Sequence, residues 1–267
     1  MNRKYLYPLL IIVVTAALYY GEKYVDKKNE DYPKTSSTNN SYSEFDDRFL
    51  PTSTTGVLVS HQYFTLSYSE DHEQAEWVAY ELKKSQIKNS DFKRPYFVMD
   101  RSVASGSADW RSYKNSGYDR GHLVPAADRE FDYDAYHETF LTSNISPQNN
   151  EFNGGVWNKL EQKTRSWAKK YDGVFVITGG VLEDGLSTIG DDRVSVPKEF
   201  YKIIFDKRKD GNKVIAFLIP NAPTDKSFYD YTVSVDEIEA KTGIDFFSQF
   251  SKTVQENLES GVDRKGW

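Results

Sequence analysis

Apolar runs of strand character, set on both sides of one long amphipathic pattern, are what most constrain how this chain can fold. The runs are "YFTLSY" (63–68), "EWVAYEL" (76–82), "GVFVITGGVL" (173–182), "EFYKIIFD" (199–206) and "KVIAFLIPN" (213–221). The polar stretch "SEDHEQA" between the first two predicts an antiparallel pair. Gly, Pro, Asp or Asn bounds the last three. Between these groups, "GGVWNKLEQKTRSWAKK" (154–170) places Trp157, Leu160, Thr164, Trp167 and Ala168 on one helical stripe, with charges elsewhere. A second helix is predicted in "SVDEIEAKTG", with Ser234 and Glu237 as a capping box and Gly243 as the stop. Strands that do not alternate regularly with helices argue for an α+β fold over a doubly wound one.

The 267 residues suffice for one large domain with a sizeable core. From about residue 45 the apolar runs recur to the end with no second linker and no repeat, which gives a single domain over 45–267. The stretch 21–44, "GEKYVDKKNEDYPKTSSTNNSYSE", is polar and rich in Ser and Asn, and reads as a flexible tether. Ahead of it, Arg3 and Lys4 precede an uncharged, mostly apolar run from Tyr5 to Tyr20. Residues 1–20 therefore read as a signal anchor or signal peptide, the anchor being favoured because tyrosines stand where cleavage needs small side chains. Cytoplasmic Arg3 and Lys4 would leave the remainder extracytoplasmic, either held at the membrane or released as a secreted or periplasmic protein.

There is no cysteine, which excludes disulfides, thiolate metal sites and cysteine nucleophiles. Lys plus Arg number 34 against 40 Asp plus Glu, a net charge of -6. The molecule as a whole does not attract polyanions, so a nucleic-acid site must be a local basic groove. Lys93, Arg94, Arg101, Arg111 and Lys114, with Lys159, Lys163, Arg165, Lys169 and Lys170 on the long helix, could line one; a solvated helix face is the plain alternative. Of the four histidines, His72 and His137 sit in polar contexts that predict solvated rings, and His61 has no evident partner. His122 lies in "GYDRGHLVPAAD" (117–128), followed by the apolar pair Leu123 and Val124, which reads as a strand anchored in the core.

By itself "DRGH" is also compatible with a surface ion pair at a turn. Some twenty residues later comes "FLTSNISPQNNEFNGGVWNKLEQKTR". Asp119-Arg120-Gly121-His122, then "SNISPQ" (143–148), Asn153, Trp157 and Leu160-Glu161 resemble, in order and spacing, the active-site signature of the DNA/RNA non-specific endonucleases. That family of ββα-metal nucleases includes secreted bacterial enzymes and mitochondrial endonuclease G. The resemblance extends through "RVSVPKEFYKIIFD" and "SVDEIEAKTGIDFF", over roughly residues 55–255. It implies a ββα-metal finger within a central, mostly antiparallel sheet flanked by helices, and cleavage of DNA and RNA at internal bonds with Mg²⁺ or another divalent cation such as Mn²⁺. It also implies an arginine facing the phosphate from a strand, at Arg94.

The chemistry of the residues agrees. Phosphodiester hydrolysis needs an activated water, a cation near the reacting oxygens and positive charge for the developing negative charge. His122 suits a general base, since neutral imidazole accepts a proton at little cost near pH 7. Asn153 suits a metal ligand, its amide oxygen being hard and uncharged; an N-cap or turn role in Asn-Gly-Gly is the alternative. On one helix Glu161 would stand about 12 Å along the axis from Asn153 and rotated by about 80°, which favours a hold through a metal-bound water; pairing with Arg165 is the alternative. Arg120 and Arg94 are the phosphate clamps, with Asp119 and Asn144 as supports for their neighbours and Gly121 as the point where the backbone passes close to the metal centre. The partners implied are DNA and RNA as substrates and the membrane through the N-terminal segment, with room for a homodimer. A catalytically silent nucleic-acid-binding module and a metal phosphodiesterase on a small or lipid substrate remain as alternative readings.

Overall fold

Period-two alternation of large apolar side chains builds the centre of the molecule, and a computed structural model describes it over residues 13–17, 19–20, 47–208 and 211–267. The chain divides into two units, Met1–Thr38 and Asn39–Trp267. In the first, residues 13–17 and 19–20 are helical; the rest of the anchor and the whole of the tether, 21–44, lie outside the described residues. Among the described residues no helix is long and apolar enough to cross a membrane.

The strands of the second unit are β1 (Leu58–Ser60), β2 (Thr65–Ser69), β3 (Gln74–Lys83), β4 (Asp119–His122), β5 (Ile145–Gln148), β6 (Gly173–Gly180), β7 (Thr188–Ile189), β8 (Val194–Ser195), β9 (Glu199–Arg208), β10 (Gly211–Pro220) and β11 (Thr232–Val233). The helices are α1 (Tyr133–Glu138), α2 (Asn158–Tyr171), α3 (Val235–Thr242) and α4 (Lys252–Glu259). One seven-stranded sheet runs β1-β2-β3-β6-β9-β10-β11, every neighbouring pair antiparallel. Two small hairpins, β4-β5 and β7-β8, stand apart from it. The α+β expectation holds, and the five sequence runs all become strands of the large sheet.

Alternation divides the core between the two faces of that sheet. Tyr80, Val176, Ile204 and Phe217 face one cluster, where α2 buries Leu160, Trp167 and Ala168 and where Leu123 and Val124 insert. Ala79, Ile177, Ile203 and Ala216 face the other, covered by Val235 and Ile238 of α3 and Leu258 of α4. Trp167 is 1% exposed; at ~25 cal/mol per Å² over roughly 150–250 Å² its burial contributes about 4–6 kcal/mol, so Trp167→Ala would free α2 from the sheet.

Local signals set the helix ends. The Ser234 hydroxyl accepts the Glu237 N–H at 3.2 Å, and Gly243, at φ 71°, ends α3 as predicted. The long helix differs from its expectation at the start. Asn149 caps a short helical turn, Asn150–Phe152, by accepting the N–H groups of Glu151 and Phe152. A wide turn, Asn153–Trp157, then leads into α2, and Gly155 within it is non-helical at φ -99°, ψ -107°. Asn153 and Glu161 therefore do not share one regular helix, and the straight-helix separation between them does not apply.

Candidate active site

The β4-β5 hairpin pairs Asp119 with Gln148, Arg120 with Pro147, Gly121 with Ser146 and His122 with Ile145. Alternation sends Arg120 and His122 to one side and Asp119 and Gly121 to the other. The strand is "DRGH" itself; Leu123 and Val124, fully buried, lie in a bend just beyond it. Asn144 fixes that bend. Its carbonyl accepts the Leu123 N–H at 2.9 Å, its Oδ1 accepts the Val124 N–H at 2.8 Å, and its Nδ2 donates to Val124 O and Thr139 O.

On the Arg120 side, two phenylalanines gather the charges. The Arg120 guanidinium lies 4.9 Å from the Phe97 ring centre and 5.9 Å from that of Trp110. Arg94 lies 5.7 Å from Phe97 and 5.5 Å from Phe140. The His122 ring sits 5.5 Å from Phe97 and 4.9 Å from Phe140, edge-on to the latter. Burial, and then the Arg94 charge, depress the His122 pKa to about 3. Its Nε2 is enclosed and has no hydrogen-bond partner. The imidazole is thus neutral near pH 7, as a base must be, but in the free protein its affinity for a proton is far below that of an ordinary histidine. This corrects the expectation of proton uptake at little cost.

On the other side, Asp119 holds the asparagines. Its Oδ2 accepts from Asn153 Nδ2 at 2.9 Å and from Asn150 Nδ2 at 3.1 Å. With the nitrogen of Asn153 committed, its amide oxygen is the atom left to ligate a cation, and it is the hard, neutral donor that Mg²⁺ accepts. The capping alternative for Asn153 is taken by Asn149.

Glu161, half-buried, belongs to a charged cluster behind the turn whose other members include the buried Lys202 and Asp128. Burial raises its pKa; Lys202 pulls it down and Asp128 pushes it up. Lys202 is fully buried on β9, its ammonium 4.7 Å from the Trp157 ring centre and without a hydrogen-bond partner. Burial lowers the Lys202 pKa, while Glu161 and Asp128 raise it. Asp128 accepts from Tyr80 Oη at 2.7 Å and pairs with Arg165 Nη1 at 2.8 Å. Arg165 therefore pairs with Asp128, which displaces the simple Glu161–Arg165 helix pair.

Several sequence expectations change. Arg94 lies in irregular chain ahead of the isolated bridge at Val98, not on a strand. Gly121 does not give room to a metal: a Cβ there would meet the Gln148 side chain at 2.1 Å, so the glycine makes space for a buried amide. Of the basic track, Arg165 pairs with Asp128, Arg111 with Asp109 at 2.9 Å, and Lys170 donates to the Gly266 carbonyl; Lys93, Arg94, Arg101, Lys114, Lys159 and Lys169 are exposed. His61 does have a partner, Asp100 at 2.9 Å, in a buried pair that also receives Ser143. His72 and His137 are half-buried, His72 against Ser195 Oγ at 2.9 Å and His137 4.0 Å from the Tyr133 ring. Phe97, Phe140, Asp128 and Lys202 were not expected at the site. Lys202 alone leaves a sequence signal, a lysine between Phe200 and Ile204 on the inward alternation of "EFYKIIFD".

A hairpin carrying Arg120 and His122 on one side and an Asp119–Asn153 pair on the other, beside a large antiparallel sheet, defines a ββα-metal nuclease fold. Residues 41–253 match the model of the DNA/RNA non-specific endonuclease family, and the chain belongs to that family. It is 36% identical over 204 residues to the mitochondrial nuclease EXOG of Danio rerio, across 70% of this chain and 60% of that protein. Thus it spans less than two thirds of that relative's length. It is 34% identical over 222 residues to a nuclease of Nostoc sp., across 78% of each chain. It is 32% identical over 204 residues to human mitochondrial endonuclease G, across 71% of this chain and 69% of that protein. Among solved structures, an EndoG/EndoGI complex contains a chain similar at TM-score 0.68 and 30% identity, across 73% of this chain and 87% of that one.

Proposed function

We propose that this chain is a metal-dependent, largely sequence-independent endonuclease that hydrolyses phosphodiester bonds in DNA and RNA. The observation that carries this is the split hairpin: a neutral imidazole whose Nε2 has no partner, packed on the two phenylalanine rings that also carry Arg94 and Arg120, on one side, and an oriented asparagine amide on the other. The donor set suits a hard divalent cation, Mg²⁺ or Mn²⁺, held by Asn153 Oδ1 and, through water, by Glu161. Such a cation supplies positive charge for the reacting oxygens.

Arg94 and Arg120, charged at every working pH, bind the phosphate. His122 accepts the proton of the attacking water as the new P–O bond forms and the ester P–O bond breaks. A bound phosphate offsets the Arg94 charge that lowers the His122 pKa, so proton affinity rises when substrate arrives. Asp119 orients Asn153, and Asn144 positions His122 by fixing the backbone after it. The lack of any base-reading module in the sequence supports indifference to sequence. The N-terminal segment, residues 1–20, is read as an anchor or signal that places the domain outside the cytoplasm, with residues 21–44 as the tether.

Plasmid DNA and a single-stranded RNA, incubated with the purified chain with and without chelator, test the reading. Nicking and RNA cleavage that chelator abolishes are expected. Binding without cleavage under Mg²⁺ or Mn²⁺ would favour the silent module, and phosphodiesterase activity confined to small or lipid esters would favour the other reading.

A further inference from the structure

On the opposite face of the sheet from His122, three carboxylates converge. Asp236 and Glu239, one helical turn apart on α3, meet Glu259, the last residue of α4. One ligand oxygen from each lies within 4.8 Å of the other two. Asp236 is exposed and Glu239 half-buried, but Glu259 is only 7% exposed, and its enclosed Oε1 has no hydrogen-bond partner. A buried carboxylate that meets two others and has an enclosed oxygen with nothing to satisfy it is an expensive arrangement unless a cation or a proton completes it. The charged groups that bear on Glu259 are Glu239, Asp245 and Asp236, all of them acids. Burial and those neighbours push its carboxyl up to about 7. The Glu239 carboxylate is already aimed, its Oε1 accepting the Phe246 N–H at 2.9 Å.

We propose that Asp236, Glu239 and Glu259 form a structural Ca²⁺ site that ties the end of α4 to the start of α3. The chemistry favours Ca²⁺ over Mg²⁺ because Ca²⁺ tolerates an irregular set of carboxylate oxygens completed by water on the exposed Asp236 side, whereas Mg²⁺ demands near-ideal octahedral geometry. With few protein ligands, the affinity falls in the range of weak sites, about 10⁻⁴–10⁻³ M. The site is separate from the nuclease centre, because α3 and α4 pack on the cluster containing Ile203 and Ala216, while α2 and Leu123 pack on the other.

Thermal unfolding of the full chain in chelator-treated buffer, with 10 mM CaCl₂ or MgCl₂ added, is the test. Ca²⁺ should raise Tm by about 5 °C, and Mg²⁺ by clearly less. Asn153→Ala, which disables the proposed active-site ligand, should keep the Ca²⁺ rise, and Glu259→Gln and Asp236→Asn should lose it. Removing charge from the cluster relieves repulsion, so Glu259→Gln should melt without Ca²⁺ at or above the wild-type temperature, and its plasmid nicking under Mg²⁺ should match wild type. The proposal is overturned if wild type shows no Ca²⁺ rise, if Glu259→Gln keeps it, or if Asn153→Ala loses it. Stabilisation by acidification below pH 7 without any Ca²⁺ effect would also overturn it, assigning the cluster a shared proton.

Discussion

The two halves of the nuclease centre are built from opposite materials. The half that carries His122 is aromatic: Phe97 and Phe140 back the imidazole and both arginines, and no carboxylate pairs with Arg94 or Arg120 among the described contacts. The half that carries Asn153 is polar, with Asp119 gripping two asparagines, and the half-buried Glu161 and Arg165 set behind with the buried Lys202 and Asp128. Desolvation acts on both but leads to different ends. It strips the proton from His122, while the two arginines, with no carboxylate partner among the described contacts, keep their charge for the proposed phosphate. In the other half it is met by opposite charges, so that acids and bases persist inside the protein.

Removing His122, the proposed base, tests this contrast hardest. His122→Ala should lower the cleavage rate by ~10²–10⁴-fold or more, with little change in fold by circular dichroism or in DNA affinity by gel shift, because the arginines remain. Retention of most activity would show that the aromatic half does not hold the base. Next in size is Gly121→Ala. Its Cβ would collide with the Gln148 side chain at 2.1 Å, and overpacking a buried site costs about 1–3 kcal/mol; urea unfolding should place it near the upper end. A stable Gly121→Ala would mean that the two sides of the hairpin are less tightly locked than the contacts indicate.

The His122 pKa gives a third test. An unfolded histidine titrates near 6.5 and the folded one near 3. Between those values the unfolded state binds more protons, so stability falls as pH drops through 6.5 and the loss is complete below about 3. At pH 5 this amounts to about 2 kcal/mol. Wild type should therefore lose about 2 kcal/mol more than His122→Ala between pH 7.5 and pH 5 in urea unfolding; Glu161 and Glu259, whose raised pKa values act in the opposite direction, are common to both proteins and cancel. Equal pH slopes would place His122 in a wetter setting. The smallest effect concerns the tether. A chain beginning near Ser41 should be soluble and cut plasmid at the full-length rate, since the proposed catalytic residues all lie downstream, while full-length protein should partition with membranes on fractionation. An inactive truncated chain would make the first forty residues part of the fold.

How far the sequence speaks depends on the range of the interaction. Strands with inward alternation and helix ends with Ser234 or Gly243 declare themselves locally, and so did the motif letters of the hairpin. Phe97 and Phe140 did not, because an aromatic that supports a guanidinium looks in sequence like any core residue. The role of Gly121 is hidden for the same reason: the need for a missing Cβ is visible only when Gln148 lies across the hairpin. The His122 pKa depends on burial by elements distant in sequence. Lys202 is the intermediate case, since it breaks an apolar alternation in plain view, but only the packing of Trp157 and Glu161 over it gives that break a meaning.

The division of labour between the halves is the central claim, and a metal titration of single-turnover plasmid cleavage tests it most directly. For wild type, His122→Ala, Asn153→Ala and Glu161→Gln, the rate is followed against Mg²⁺ concentration. His122→Ala should saturate at the wild-type Mg²⁺ midpoint with a greatly reduced plateau. Asn153→Ala should need far more Mg²⁺, and Glu161→Gln about 10–100-fold more, as expected for loss of a contact made through water, with Asn153→Ala shifted further. A shifted midpoint for His122→Ala, or a wild-type midpoint for Asn153→Ala, would contradict the account.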